Sequence, residues 1–270
     1  MTIRRQGEQG FTLVELVTVI VLVGILGAMS VAFITRPIEG YVALSRRAEL
    51  VDAADSALRR MQRDIRQALP NSVRIGAGGL SLELLHTRDG GRYRLQGPGD
   101  TLDFSDATDS SFDVLGSLRA APPAGSDLVI YNLSASGITG NAYQAPADNR
   151  FAIDSAASTV SQIQFIPKVP AASFPRSSPY QRFFIVDGPV SYVCDPTAGT
   201  LTRHDGYAIA PSPVLGSGDL VTRQVQSCNF TYQPGSSQRA GLVTLTLILE
   251  DAPSAERVTL LHQVHVLNSP

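Results

Sequence analysis

The sequence predicts an α+β protein: a long N-terminal helix, transmembrane in its first half and amphipathic in its second, packed on antiparallel β-sheets. Three observations carry this. An apolar run of membrane length starts at Phe11. Apolar residues then recur at spacings of three and four as far as Leu69. After residue 71 that rhythm gives way to short runs separated by glycine- and proline-rich turns.

The chain of 270 residues is 43% hydrophobic and 17% charged, with a formal net charge of −2. That is globular composition and excludes the disordered, collagen-like and disulfide-dense classes. Near-neutral charge supplies no general pull toward nucleic acid. Lys168 is the only lysine, so arginine carries the positive charge.

Residues 1–10 form a short polar leader containing Arg4 and Arg5, and the 24 residues from Phe11 to Ile34 carry one charge, Glu15. About 20 apolar residues suffice to span a bilayer, and the arginines ahead of the run favour a cytoplasmic start and an external C-terminus. A secretory signal peptide has a shorter apolar region and a small-residue cleavage site. Here Phe33-Ile34-Thr35-Arg36-Pro37 follows instead.

An uncleaved signal anchor has no need of Glu15. An acidic side chain deep in a span costs about 2.5–3.5 kcal/mol; near the cytoplasmic end the cost is lower, but the group still asks for a partner. Cleavage after Gly10 creates one, because it frees an α-amino group on Phe11. That ammonium can pair with the Glu15 carboxylate of the same or a neighbouring chain, which favours register between packed helices more than raw stability.

The stretch Gly10-Phe11-Thr12-Leu13-Val14-Glu15, after a basic leader and before an apolar run, resembles the prepilin signature of type IV pilins and type II secretion pseudopilins. The resemblance implies a pilin-like, non-enzymatic subunit. A prepilin peptidase would cut after Gly10 and methylate the Phe11 nitrogen, and Glu15 would serve assembly. Other minor and major pilins, a platform protein, an assembly ATPase and inner-membrane lipid are the implied partners. The C-terminal domain would face the periplasm before the subunit enters a pilus or pseudopilus. Cleavage removes Arg4, Arg5 and Glu8, a net +1, and leaves a mature chain of −3. The stretch Leu58–Ile75 resembles the stem of the larger minor pilins, in particular those of the MSHA-pilus class. A J-type pseudopilin, a tip adhesin and a DNA-binding subunit are the rival readings.

The expected organisation is therefore a leader over 1–10, a transmembrane helix over 11–35, an amphipathic stem over 36–70 and an exported β-rich domain over 71–270. In the stem, Ile38, Tyr41, Val42, Ala48, Val51, Ala54, Leu58, Met61, Ile65 and Leu69 recur at helical spacing. One helix of about 60 residues is expected, kinked or loosened near Pro37 and ended by Pro70-Asn71. Arg59, Arg63 and Arg66 share another face. With Asp52, Asp55 and Asp64 interspersed, it reads as a solvated or subunit-facing surface, and nucleic acid is not an expected partner.

Strands are expected at Leu80–Leu85, Arg92–Leu95, Leu128–Leu133, Ile163–Ile166, Phe183–Val186, Val190–Cys194, Val225–Tyr232, Leu242–Glu250 and Val258–Leu267, the last two forming a hairpin. Segment 134–160 reads as a long surface excursion. Cys194 and Cys228 lie in the part expected to be exported, where a disulfide is the natural reading and two buried thiols the alternative. A bridge between them would tie strands of a C-terminal sheet.

No site chemistry emerges. His262 and His265 are three apart in a strand and so face opposite ways. Asp103, Asp106, Asp109 and Asp113 do not follow the order of an EF-hand and read as a solvated acidic loop. Gly76, Gly78 and Gly79 lack the spacing of a phosphate loop. No metal and no cofactor is expected.

Overall fold

The computed structural model describes residues 10–137, 139–235 and 239–266. The leader residues 1–9 and Leu267, the expected last residue of a strand, lie outside the described residues. Helix α1 runs Leu13–Arg66 and is continuous through Pro37. The chain forms two compact units, Met1–Glu49 and Leu50–Pro270.

In the first unit the apolar side chains are exposed, from Leu13 through Met29 and again at Ile38, Tyr41, Val42 and Leu44. The buried stripe expected from Ile38 onward begins only at Leu50. In the second unit Leu50, Ala54, Ala57, Leu58, Met61 and Ile65 are buried at spacings of three and four, one helical face turned to a core.

The helix ends four residues before Pro70. Leu69 N donates to Leu85 O and Thr87 N to Gln67 O, both at 2.8 Å, so residues 67–69 leave the helix to lie along a strand. Proline disfavours helical geometry at the residue before it, and Asn71 then turns the chain with φ 58°.

The strands are β1 (Arg74–Gly76), β2 (Ser81–Arg92), β3 (Ser111–Asp113), β4 (Asp127–Ile130), β5 (Arg150–Ala152), β6 (Gln162–Gln164), β7 (Arg182–Asp195), β8 (Thr200–His204), β9 (Asp219–Arg223), β10 (Val225–Gln233), β11 (Gly241–Asp251) and β12 (Glu256–Val266). A seven-stranded sheet follows the order β1-β2-β7-β4-β5, with β8 joining β7 to β9; β10-β11-β12 form a second sheet, and β3-β6 pair separately. All pairings are antiparallel. The chain is thus α+β, with an N-terminal apolar helix and antiparallel sheets.

One core joins the helix stripe to both larger sheets, through Leu82 and Leu84 of β2, Tyr192 of β7, Phe230 of β10 and alternate residues Val243–Leu249 of β11. A second core is rich in aromatic residues, with Tyr93, Phe112, Phe151, Phe165, Phe174 and Phe183 buried in it. Ring centroids there lie as close as 4.2 Å, between Phe151 and Phe174.

Two expectations are corrected. Segment 134–160 is no surface excursion: it contributes β5 and buries Tyr143, Phe151 and Ile153. The runs Phe183–Val186 and Val190–Cys194 are one strand, β7, despite Pro189. That strand pairs β4 over Phe183–Val186 and β8 over Ser191–Asp195. Pro189 falls in the gap between them, where a missing N–H breaks no ladder.

Candidate processing and assembly site

The helix start is built by Thr12. It stands just before Leu13, and its Oγ1 accepts the Glu15 amide at 3.3 Å while its carbonyl accepts Leu16 N at 3.1 Å. This is N-cap geometry. Thr12-Leu13-Val14-Glu15 also has the spacing of a capping box, Ser/Thr-x-x-Glu, a signal the sequence itself carries. The Glu15 carboxylate therefore sits in the first turn, where the positive end of the helix dipole favours an anion. That partly answers why an acid is tolerated at the head of an apolar run.

Leu13–Ser30 is long and apolar enough to cross a membrane and is exposed along its length. Its two hydroxyl side chains are satisfied within the helix. Thr18 Oγ1 donates to Val14 O and Glu15 O at 3.0 and 2.9 Å, and Ser30 Oγ to Leu26 O at 2.8 Å. Helical backbone and self-bonded hydroxyls suit contact with lipid, and the Glu15 carboxylate is the charged group this stretch carries. Gly10 has nothing within 4 Å of where a Cβ would stand, and Phe11 is exposed.

Further along α1, the stem is fastened to the β-domain by a polar clamp. Asp64 accepts Arg203 Nε at 2.7 Å and the Tyr192 hydroxyl at 2.9 Å. Burial, reinforced by the Asp64 charge, pushes the Tyr192 hydroxyl well above the usual phenol range. Burial works against the Arg203 charge, but its bonds to Asp64 and Asp205 hold it firmly protonated. Of the arginines expected on a separate face, Arg59 pairs with Asp55 at 2.6 Å one turn earlier.

Cys194 and Cys228 are joined by a disulfide with Cα atoms 6.3 Å apart. Cys194 lies in β7 of the seven-stranded sheet and Cys228 in β10 of the three-stranded one. The bridge ties two sheets together; it does not tie strands of one sheet, as expected.

The acidic loop is held by its own hydrogen bonds. Asp103 Oδ1 accepts the amide and hydroxyl of Ser105, and Asp106 Oδ1 those of Thr108. These bonds hold both carboxyls below the usual range. Among the described residues no group of three His, Cys, Asp or Glu side chains is arranged to hold a metal. His262 stands opposite Leu245 on the inner face of β12, and His265 opposite Leu242 on the outer one. The buried Glu83 is spent on Arg74 and the Tyr207 hydroxyl.

Residues 5–31 match the prokaryotic N-terminal methylation motif. No curated protein and no solved structure matches the chain. The motif supports a chain of the type IV pilin or pseudopilin kind. It implies processing by a prepilin peptidase and assembly with other pilins, and with the apolar N-terminal helix it fits an inner-membrane anchor.

Proposed function

We propose that the chain is a minor pilin, most like the MSHA-pilus biogenesis protein MshO, that joins or primes a type IV pilus. Cleavage after Gly10 frees the Phe11 amine, which is then methylated. The apolar helix stores the subunit in inner-membrane lipid, with the β-domain in the periplasm. On assembly the Phe11 ammonium and a Glu15 carboxylate of a neighbouring helix set register, and the β-domain selects other minor subunits.

The observation that carries the reading is a coincidence at one point of the chain. The methylation motif, the Thr12 cap and the exposed apolar helix all meet at the bond after Gly10. The resemblance of Leu58–Ile75 to large minor-pilin stems supports the finer assignment.

Glu15→Val tests the pairing. It removes the acid without breaking the Thr12 cap, so membrane insertion and cleavage should persist while recovery in sheared pilus fractions falls at least about tenfold. Normal incorporation of the variant would reject the pairing. Crosslinking from the helix of the native protein separates pilus from secretion system: capture of pilins supports the minor-pilin reading, and capture of pseudopilins alone overturns it.

A further inference from the structure

The edge of β2 that faces away from β7 is covered at both ends and bare between them. Residues 67–69 pair along it as far as Thr87, and the Arg92 carbonyl again accepts a bond there, from Leu115 N at 2.8 Å. In between, the Gly90 amide donates to its neighbour's side chain, Asp89 Oδ1, at 2.8 Å. Among the described residues no strand pairs with this stretch of edge. A cleft of about 470 Å³ opens over it, lined by Arg88, Arg92, Arg119 and Arg182.

The charge there is one-sided. Arg92 and Arg182 stand directly opposite each other in the β2–β7 ladder, an arrangement in which like charges repel. Both lean on Tyr180, which is exposed. Arg92 Nε donates to its carbonyl at 3.2 Å, and the Arg182 guanidinium lies 5.3 Å from its ring centroid. The one carboxylate in the lining, Asp89, is occupied by two backbone amides, those of Gly90 and Arg119. Arg88 reaches Asp187 only at 3.7 Å.

We propose that this cleft receives an extended, acidic segment of a partner protein. The segment's backbone continues the β2 edge beside Gly90, and its carboxylates pair with Arg88, Arg92 and Arg119. A bare strand edge recruits a peptide backbone, and guanidinium forks match carboxylates two bonds at a time. A nucleic acid would satisfy the charge but has no peptide groups for the edge. The inference goes beyond pilus assembly and stands whether or not the chain enters a filament.

The test uses the full chain in detergent micelles and a fluorescent peptide alternating aspartate with valine. Comparators are the same peptide with asparagine for aspartate, and oligothymidylate. The acidic peptide should bind saturably and more weakly as salt rises. The asparagine peptide should bind roughly tenfold or more weakly, and Arg92→Gln and Arg119→Gln should each weaken the acidic peptide by roughly tenfold. Arg257→Gln, on β12, should change nothing. Thermal midpoints confirm that the variants are folded, and Arg119, exposed and outside every strand, remains informative if Arg92→Gln is unstable. No saturable binding, equal binding of the asparagine peptide, undiminished affinity of Arg119→Gln, or tighter binding of oligothymidylate would each overturn the proposal.

Discussion

Asp64→Ala should be the most damaging polar substitution on α1. The Asp64 and Arg203 side chains are each only 15% exposed, and the carboxylate serves two partners on two strands, Arg203 of β8 and Tyr192 of β7. Its loss leaves Arg203 with Asp205, which is 57% exposed, and leaves the Tyr192 hydroxyl without this acceptor. Removing one member of a buried ion pair typically costs about 3–5 kcal/mol. The residual exposure points to the lower part of that range, even with the cost of an orphaned hydroxyl. For a domain of this size each kcal/mol lowers the melting midpoint by roughly 2–4 °C, so a drop of about 6–16 °C is expected in thermal unfolding of the full chain in micelles. Asp55→Ala, which removes an exposed pair one turn apart, should cost no more than about 0.5 kcal/mol. Asp64→Leu combined with Arg203→Met should recover most of the loss, because the desolvation penalty leaves with the pair. If Asp64→Ala melts within about 2 °C of Asp55→Ala, the clamp does not fasten the stem.

Other outcomes follow from the same geometry. Replacing Cys194 and Cys228 by serine should destabilise the second unit by about 3–4 kcal/mol, from the 34-residue loop the bridge closes, measured as a lower urea midpoint. Lys168 sits over the Phe151 ring at 3.8 Å, and burial, outweighing nearby Asp148, brings its amine down to about 8. It should therefore be half-reactive toward acetic anhydride near that pH, as read by mass spectrometry. Because the unfolded chain holds this proton more tightly, the Lys168 contribution to stability should rise as pH increases from about 8 to about 10.4. Asp187 is held below the usual carboxylate range: burial opposes ionisation, but the His86 bond at 2.8 Å and the charges of His86 and Arg88 outweigh it. Its contribution is complete above about pH 4 and fades as pH falls through the depressed value. His86→Ala should flatten that acid limb of the stability profile.

The long elements were legible in the sequence because their rhythm is strong. Alternation along Leu242–Glu250 and Val258–Leu267 anticipates β11 and β12 closely, since one face is core and the other solvent. The shorter strands escaped. β1, β3, β5 and β6 have three residues each, too few for a period of two to register, and of these only β6 overlaps an expected run. β7 was split because Gly188-Pro189 is an interior breaker by local chemistry, and only the gap between β4 and β8 makes it tolerable. Ile38, Tyr41 and Val42 keep the helical spacing of the expected stem stripe, yet their side chains are exposed. At the N-terminus, Gly10, Phe11, Thr12 and Glu15 stand out as a motif, and the Ser/Thr-x-x-Glu spacing from Thr12 to Glu15 also carries the cap that the backbone geometry displays. The arginine cleft could not be foreseen, because it draws on β2, β7 and the loop at Arg119, which only the fold brings together.

The most direct test is intact-mass and N-terminal determination of the protein isolated from its native inner membrane, in cells with an active prepilin peptidase. The account predicts a chain that starts at Phe11 and carries one added methyl group on its terminal nitrogen, with Gly10→Leu abolishing the shift. A chain that still starts at Met1, or one cut beyond Ser30, would contradict it.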